Sequence, residues 1–200
     1  MIDSGKTGEF RYETPKEIRD QADVEFGITP SQTVGPYVHI GLEREGTEIL
    51  VAEDDPNAVE ITFTVTDGGG DPLQDGMIEI WQPDAAGDFN TTTAEGFRGL
   101  GRAMCDETGT ARFVTVVPGG YEGGAPHLLV GVFARGILER LYTRLYFPGN
   151  DEALEADHVL QQVDPSRRHL LIAEATERGY HLNVQLQHDD PAQETPFFKI

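Results

Sequence analysis

The sequence holds one cysteine, Cys105, and one tryptophan, Trp81. A single thiol excludes an intrachain disulfide and a thiol-rich zinc site. No apolar run approaches the about eighteen residues of a membrane span, and the opening residues lack the apolar stretch of a signal peptide. The expected location is the cytoplasm. Basic residues are scarce: 15 Lys and Arg against 35 Asp and Glu give a formal charge of −20. Such a surface repels phosphate backbones and anionic lipid, which excludes nucleic acid and membrane as partners. For an anionic ligand, a few placed arginines would have to reverse the local field. Also missing are a phosphate loop, a Gly-x-Ser-x-Gly elbow and a His-Glu-x-x-His helix. The paired acids Asp54-Asp55 and Asp189-Asp190 lie in loop-like stretches and read as solvated surface.

Glycine and proline are plentiful, 23 and 12 of 200 residues. No triplet period accompanies them, so they mark turns between short strands. Residues 59–66 alternate apolar with polar, the pattern of a half-buried strand. Asp67-Gly68-Gly69-Gly70-Asp71-Pro72 is its turn, and 77–82 is the next strand. A long loop follows from Pro83 to Gly96, a length that often carries function. Further strands are expected at 98–104, 110–117, 127–135, 138–147 and 180–187, with Gly136-Ile137 as a tight hairpin between the third and fourth of these. Asn150 caps a short helix over 151–156, and Asp164-Pro165 starts a helical turn before His169. Residues 29–37 read as an extended loop and 43–60 as an exposed acidic connection. Residues 1–28 form an arm, in which Thr14-Pro15-Lys16-Glu17 has the form of a capping box. The fold class is all-β: a β-sandwich of seven or eight main strands with minor helix over 29–200, with a closed barrel as the alternative.

Of six histidines, only His127 opens a strongly apolar strand, and Tyr121 ends the strand before it. Phenolate and imidazole together make half of a ferric site. The plainer account is a hydrogen-bonded core histidine beside a turn aromatic, and on residues alone that account is preferred. On 138–147, Arg140, Tyr142, Arg144 and Tyr146 share one face, with Leu141, Leu145 and Phe147 on the other. The Arg/Tyr face is either solvated or set against a partner, where both residue types are enriched; the partner is favoured.

Several segments carry a resemblance. They are Thr29-Pro30-Ser31-Gln32-Thr33-Val34-Gly35-Pro36-Tyr37-Val38-His39-Ile40-Gly41-Leu42, Ile78-Glu79-Ile80-Trp81-Gln82-Pro83-Asp84-Ala85-Ala86-Gly87, Gly101-Arg102-Ala103 and Val117-Pro118-Gly119. Ala125-Pro126-His127, Phe133-Ala134-Arg135-Gly136 and Thr143-Arg144-Leu145-Tyr146-Phe147 continue the series. Together they resemble the intradiol ring-cleaving dioxygenases over 29–198, and most closely the α chains of that family.

The resemblance implies a ferric ion held by two tyrosines and two histidines in the family's β chains. Here Leu129 and Phe89 stand at one histidine and one tyrosine position, which leaves only Tyr121 and His127. Neither leucine nor phenylalanine donates an electron pair to a metal. The implied protein is therefore an iron-free α-type chain with no catalytic residue or metal ligand of its own. Its cofactor, Fe(III), belongs to a homologous β subunit, the implied partner. The implied substrates are protocatechuate (3,4-dihydroxybenzoate) and O2. The substrate-binding positions implied are Thr33, Gly35, Pro36 and Tyr37 on one loop, and Arg135. An extended strand advances roughly 3.4 Å per residue, so Arg135 lies about 27 Å from His127 and must serve a different site. A guanidinium suits a benzoate carboxylate, whereas on residues alone Arg135 reads as a surface ion pair. The alternative to the whole reading is a non-catalytic β-sandwich binding module without a dioxygenase partner.

Overall fold

The computed structural model describes residues 37–89 and 96–199. Alternation of side chains writes the fold. In β1 (Val59–Thr66), Ile61, Phe63 and Val65 are buried while the threonines between them are not. β1 pairs antiparallel with β4 (Thr110–Thr115) and parallel with β8 (Gly179–Gln185), and β7 (Glu174–Ala175) closes that sheet on the far side of β8. The second sheet has the order β3-β2-β5-β6, antiparallel throughout. It comprises β2 (Met77–Trp81), β3 (Leu100–Met104), β5 (His127–Phe133) and β6 (Leu141–Tyr146).

Both sheets turn their apolar sides to one core. Ile61, Phe63 and Phe113 from the first sheet meet Ile78, Ile80, Leu128, Val130 and Leu145 from the second. Phe63 and Phe113 stack edge to face at 5.9 Å, and each such buried ring stabilises the fold by roughly 1.5–3 kcal/mol. This is the expected β-sandwich.

Some expectations shift in detail. β2 to β6 and β8 are each a residue or more shorter than the expected stretches, because the pattern runs on into turns. The two-residue β7 carries no pattern at all. The β5–β6 hairpin forms, but its connection runs over 134–140, and Gly136 takes a φ of +86° within it. The acidic connection 43–60 is not wholly exposed. Leu50 and Val51 are buried, and Leu50 straps the sheets together: its amide donates to Val114 O and its carbonyl accepts from Arg98, each at 2.8 Å. Tyr37 does not end an extended loop; it opens a short helix, α1 (Tyr37–Leu42).

A helical layer covers the outer end of β6. Asn150 caps α2 (Asp151–Ala156) as the sequence predicts, accepting from Ala153 N. Leu154, Leu160, Val163 and Leu171 from this layer surround Tyr146 in a second apolar cluster. The expected arm over 1–28 lies outside the described residues.

Candidate functional site

Two loops place the aromatic residues singled out above. The 82–89 loop and the 117–124 turn lie back to back through glycine. Gly119 N donates to Asp84 O at 2.9 Å, and a Cβ on Gly119 would sit 2.5 Å from Gly87 N. Gly87 itself has a φ of +91°, with Gly120 O where a side chain would start. Gln82 fixes the loop's root: it is fully buried, donates to Val116 O at 2.9 Å, and accepts from the Thr115 hydroxyl at 2.8 Å. The Trp-Gln and Pro-Gly motifs thus work as a structural clamp.

This clamp assembles an aromatic row. Phe89 lies edge-on to Trp81 at 6.0 Å and to Tyr121 at 4.8 Å. The Tyr121 hydroxyl lies 2.6 Å from His127 Nε2, and His127 Nδ1 lies 2.8 Å from Ala125 O. A carbonyl only accepts, so Nδ1 carries the proton and Nε2 accepts from Tyr121. Burial pushes the Tyr121 hydroxyl up to about 12 and the His127 imidazole down to about 4. Both are neutral near pH 7.

Beyond His127, Tyr146 donates to Asp157 Oδ1 at 2.9 Å. Asp157 is fully buried and also accepts from Ala125 N, Val159 N and Leu160 N. Burial alone would raise its carboxyl, but these bonds outweigh it and hold the group below its ordinary value. Arg144 donates to the Tyr146 hydroxyl at 3.1 Å.

As a ferric site the cluster does not fit. Of the two oxygen and nitrogen donors, each is engaged with the other. Phe89 occupies the loop position beside Tyr121, and Leu129, two residues along β5 from His127, faces the same side of the sheet with a hydrocarbon side chain. Among the described residues, no group of three or more His, Cys, Asp and Glu converges.

Arg135 lies past the end of β5, with its side chain 67% exposed and its Nε paired with Asp75. The structure thus brings Tyr121 and His127 together and leaves Arg135 apart from them. Thr33, Gly35 and Pro36 lie outside the described residues. The Arg/Tyr face of β6 has the expected parity but a different setting. Tyr146 is buried beneath the helical layer, while Arg140, Tyr142 and Arg144 line a cleft shared with Glu79, Trp81 and Leu129. Sequence reading passed over Asp157, whose only local signal is a lone acid between a helix and an apolar stretch.

Comparison with known proteins agrees with this geometry. A family model described as dioxygenase (Dioxygenase_C) matches residues 33–187. The protocatechuate 3,4-dioxygenase alpha chain of Pseudomonas putida is 36% identical over 194 residues, covering 85% of this chain and 95% of that one. The beta chain from Burkholderia cepacia is 30% identical over 204 residues, covering 91% of this chain and 83% of its own. Among solved structures, an intradiol ring-cleavage dioxygenase from Tetranychus urticae superposes with a TM-score of 0.53 at 18% identity, over 81% of this chain and 94% of that one. The clamp motifs, the sandwich and these likenesses together establish that the chain belongs to the intradiol ring-cleavage dioxygenase family.

Proposed function

We propose that this chain is the iron-free α subunit of a protocatechuate 3,4-dioxygenase, paired with a homologous β subunit that holds Fe(III). One observation carries the reading. In a chain 36% identical to such an alpha chain, Leu129 and Phe89 flank a Tyr121–His127 pair that is closed on itself. The complex would add both atoms of O2 across the bond between the two hydroxyl-bearing ring carbons of protocatechuate, giving 3-carboxy-cis,cis-muconate.

The chain's own part is positioning. The 33–37 loop, with Thr33, Gly35, Pro36 and Tyr37, forms a wall of the partner's pocket, and Arg135 holds the substrate carboxylate. Among the described residues Arg135 pairs only through its Nε, with Asp75, and its two terminal nitrogens then serve a bidentate contact. Orientation of this kind lowers the barrier without any reacting group from the chain. Residues 29–200 form the dioxygenase-like domain and 1–28 a separate arm, and the complex works in the cytoplasm. No helix among the described residues is long and apolar enough to cross a membrane.

Co-purification with a homologue carrying all four tyrosine and histidine ligands, followed by oxygen uptake on protocatechuate, tests the proposal. A stable complex that consumes one O2 per protocatechuate is expected. Failure to associate, or full activity of the homologue without this chain, overturns it.

A further inference from the structure

The turn before β2 carries an acid, Asp75, whose placement follows from sheet register. In the β2–β5 ladder Trp81 faces Leu129 and Met77 faces Phe133. Carried two residues past its end, that register sets Asp75 directly opposite Arg135. The two meet there: a carboxylate oxygen of Asp75 accepts from Arg135 Nε.

The partners are unequally held. The side chain of Asp75 is 26% exposed and that of Arg135 67%. The turn under Asp75 is fastened to the end of β3, since Gly76 O accepts from Cys105 N at 2.8 Å. A Cβ on Gly76 would crowd Leu73 and Cys105 at 3.0 and 3.2 Å. The 134–140 connection that bears Arg135 is rooted by the buried Ala134 at one end. At the other, Arg140 donates to Glu79, which also accepts from Arg102 at 2.8 Å. Gly131, opposite Glu79, makes room for this, because a Cβ there would meet Arg140 Cδ at 2.9 Å. The backbone of the connection is thus anchored at both ends. Among the described residues, the Arg135 side chain has one anchor, Asp75.

On charge alone this acid is badly placed. A carboxylate beside a guanidinium that must bind a second carboxylate repels the ligand, and the chain already carries −20. What it supplies is geometry. Arginine has a long rotatable stem, and a carboxylate on Nε stops that rotation while the flat end of the fork, with both terminal nitrogens, faces outward.

We propose that Asp75 is a positioning residue for the ring cleavage assigned above: held by its turn, it fixes the Arg135 guanidinium in the orientation that receives the substrate carboxylate. This rests on the role given to Arg135 and extends it to a residue that touches no substrate.

Oxygen uptake by the assembled α/β complex tests it. Asp75→Ala should raise KM for protocatechuate by about three- to tenfold, the cost of leaving one arginine side chain for the ligand to order. KM for catechol, which has no carboxylate, should move far less. Asp75→Asn keeps an oxygen for Nε and should recover most of the loss without any charge. On an Arg135→Ala background, Asp75→Ala should add nothing, because the group it positions is gone. A lowered KM in Asp75→Ala would make the acid a mere repulsive charge and overturns the proposal. An unchanged KM, an equal loss on catechol, or a loss that adds to that of Arg135→Ala overturns it as well. Should Asp75→Ala not assemble, Asp75→Ser, whose hydroxyl stops short of Nε, is judged by the same outcomes. Parental kinetics in Arg135→Ala would refute the assignment of Arg135 itself. A loss in Arg135→Ala without one in Asp75→Ala refutes the role of Asp75 alone.

Discussion

The Tyr121 hydroxyl and His127 Nε2 are 2.6 Å apart, and this bond closes the two donors upon each other. Ala125 O sets the imidazole tautomer from behind, at 2.8 Å from Nδ1. In metal sites the same carbonyl contact orients a histidine outward to its ion. Here it aims the lone pair at a phenol. Burial keeps both groups neutral, so the pair is a structural hydrogen bond in an apolar setting rather than a waiting metal site.

The first prediction concerns that pairing. The purified chain should hold far less than one ferric ion per molecule, because two donors already satisfied by each other bind iron weakly. Phe89→Tyr combined with Leu129→His would restore a set of two phenols and two imidazoles on the same clamp. That double variant should bind at least about tenfold more Fe(III) by metal analysis and gain a visible phenolate-to-iron absorption band. Near-stoichiometric iron in the parent chain would contradict the reading.

The second is a pH dependence. His127 has an ordinary value of 6.5 and lies near 4 in the fold, because burial disfavours its charged form. Between those values the unfolded chain binds more protons, so stability is fully present above about pH 6.5 and falls as the pH drops toward 4. The loss is roughly 3 kcal/mol, about 1.4 kcal/mol per unit. Asp157 lies outside this window, since its carboxyl is held below 3.8 and its contribution fades only at lower pH. Urea unfolding across pH 4–7 should show the slope in the parent and a flatter one in His127→Gln, which has no imidazole to charge.

Sequence reading fared best where one residue's chemistry suffices. The 2-residue period of β1, the Asn150 cap and the side-chain parity of β6 each depend on local geometry, and each appears as expected. The hydrocarbon side chains of Leu129 and Phe89 were equally plain. Long-range pairing was not legible. Leu50 sits in an acidic stretch, yet Val114 of β4 and Arg98, just before β3, bond its backbone from either side while its side chain joins the core. Asp157 was legible only in its local half: its bonds to Val159 N and Leu160 N are near in sequence, but Ala125 and Tyr146 reach it from 32 and 11 residues upstream. The cleft escaped notice for the same reason: it joins Trp81, Leu129 and Phe198 through sheet register and a C-terminal return.

The third prediction follows from Asp157. Its two oxygens accept from Tyr146 and from the amides of Ala125, Val159 and Leu160, with no solvent exposure. Asp157→Ala strands these buried donors, at a cost of about 3 kcal/mol or more in unfolding free energy. Asp157→Asn keeps one acceptor but turns an N–H toward other donors, and should lose somewhat less. The comparison of midpoints in urea checks the order: Ala lowest, Asn between, parent highest.

The last prediction separates Arg135 from iron. Its Nε is tied to Asp75 and its side chain is 67% exposed, so its removal should disturb the fold little. In the assembled complex, a lost bidentate contact to a carboxylate costs about 1.5–3 kcal/mol, or roughly 10- to 100-fold in kcat/KM for protocatechuate. Arg135→Ala should show that loss with iron content and visible spectrum unchanged. Arg135→Lys keeps the charge without the planar fork and should recover only part of it. Catechol, which has no carboxylate, should be cleaved equally well by parent and variant. A mutant that loses both substrates alike would mean that Arg135 supports the assembly rather than the substrate, and one that loses neither would leave it as an ordinary surface ion pair.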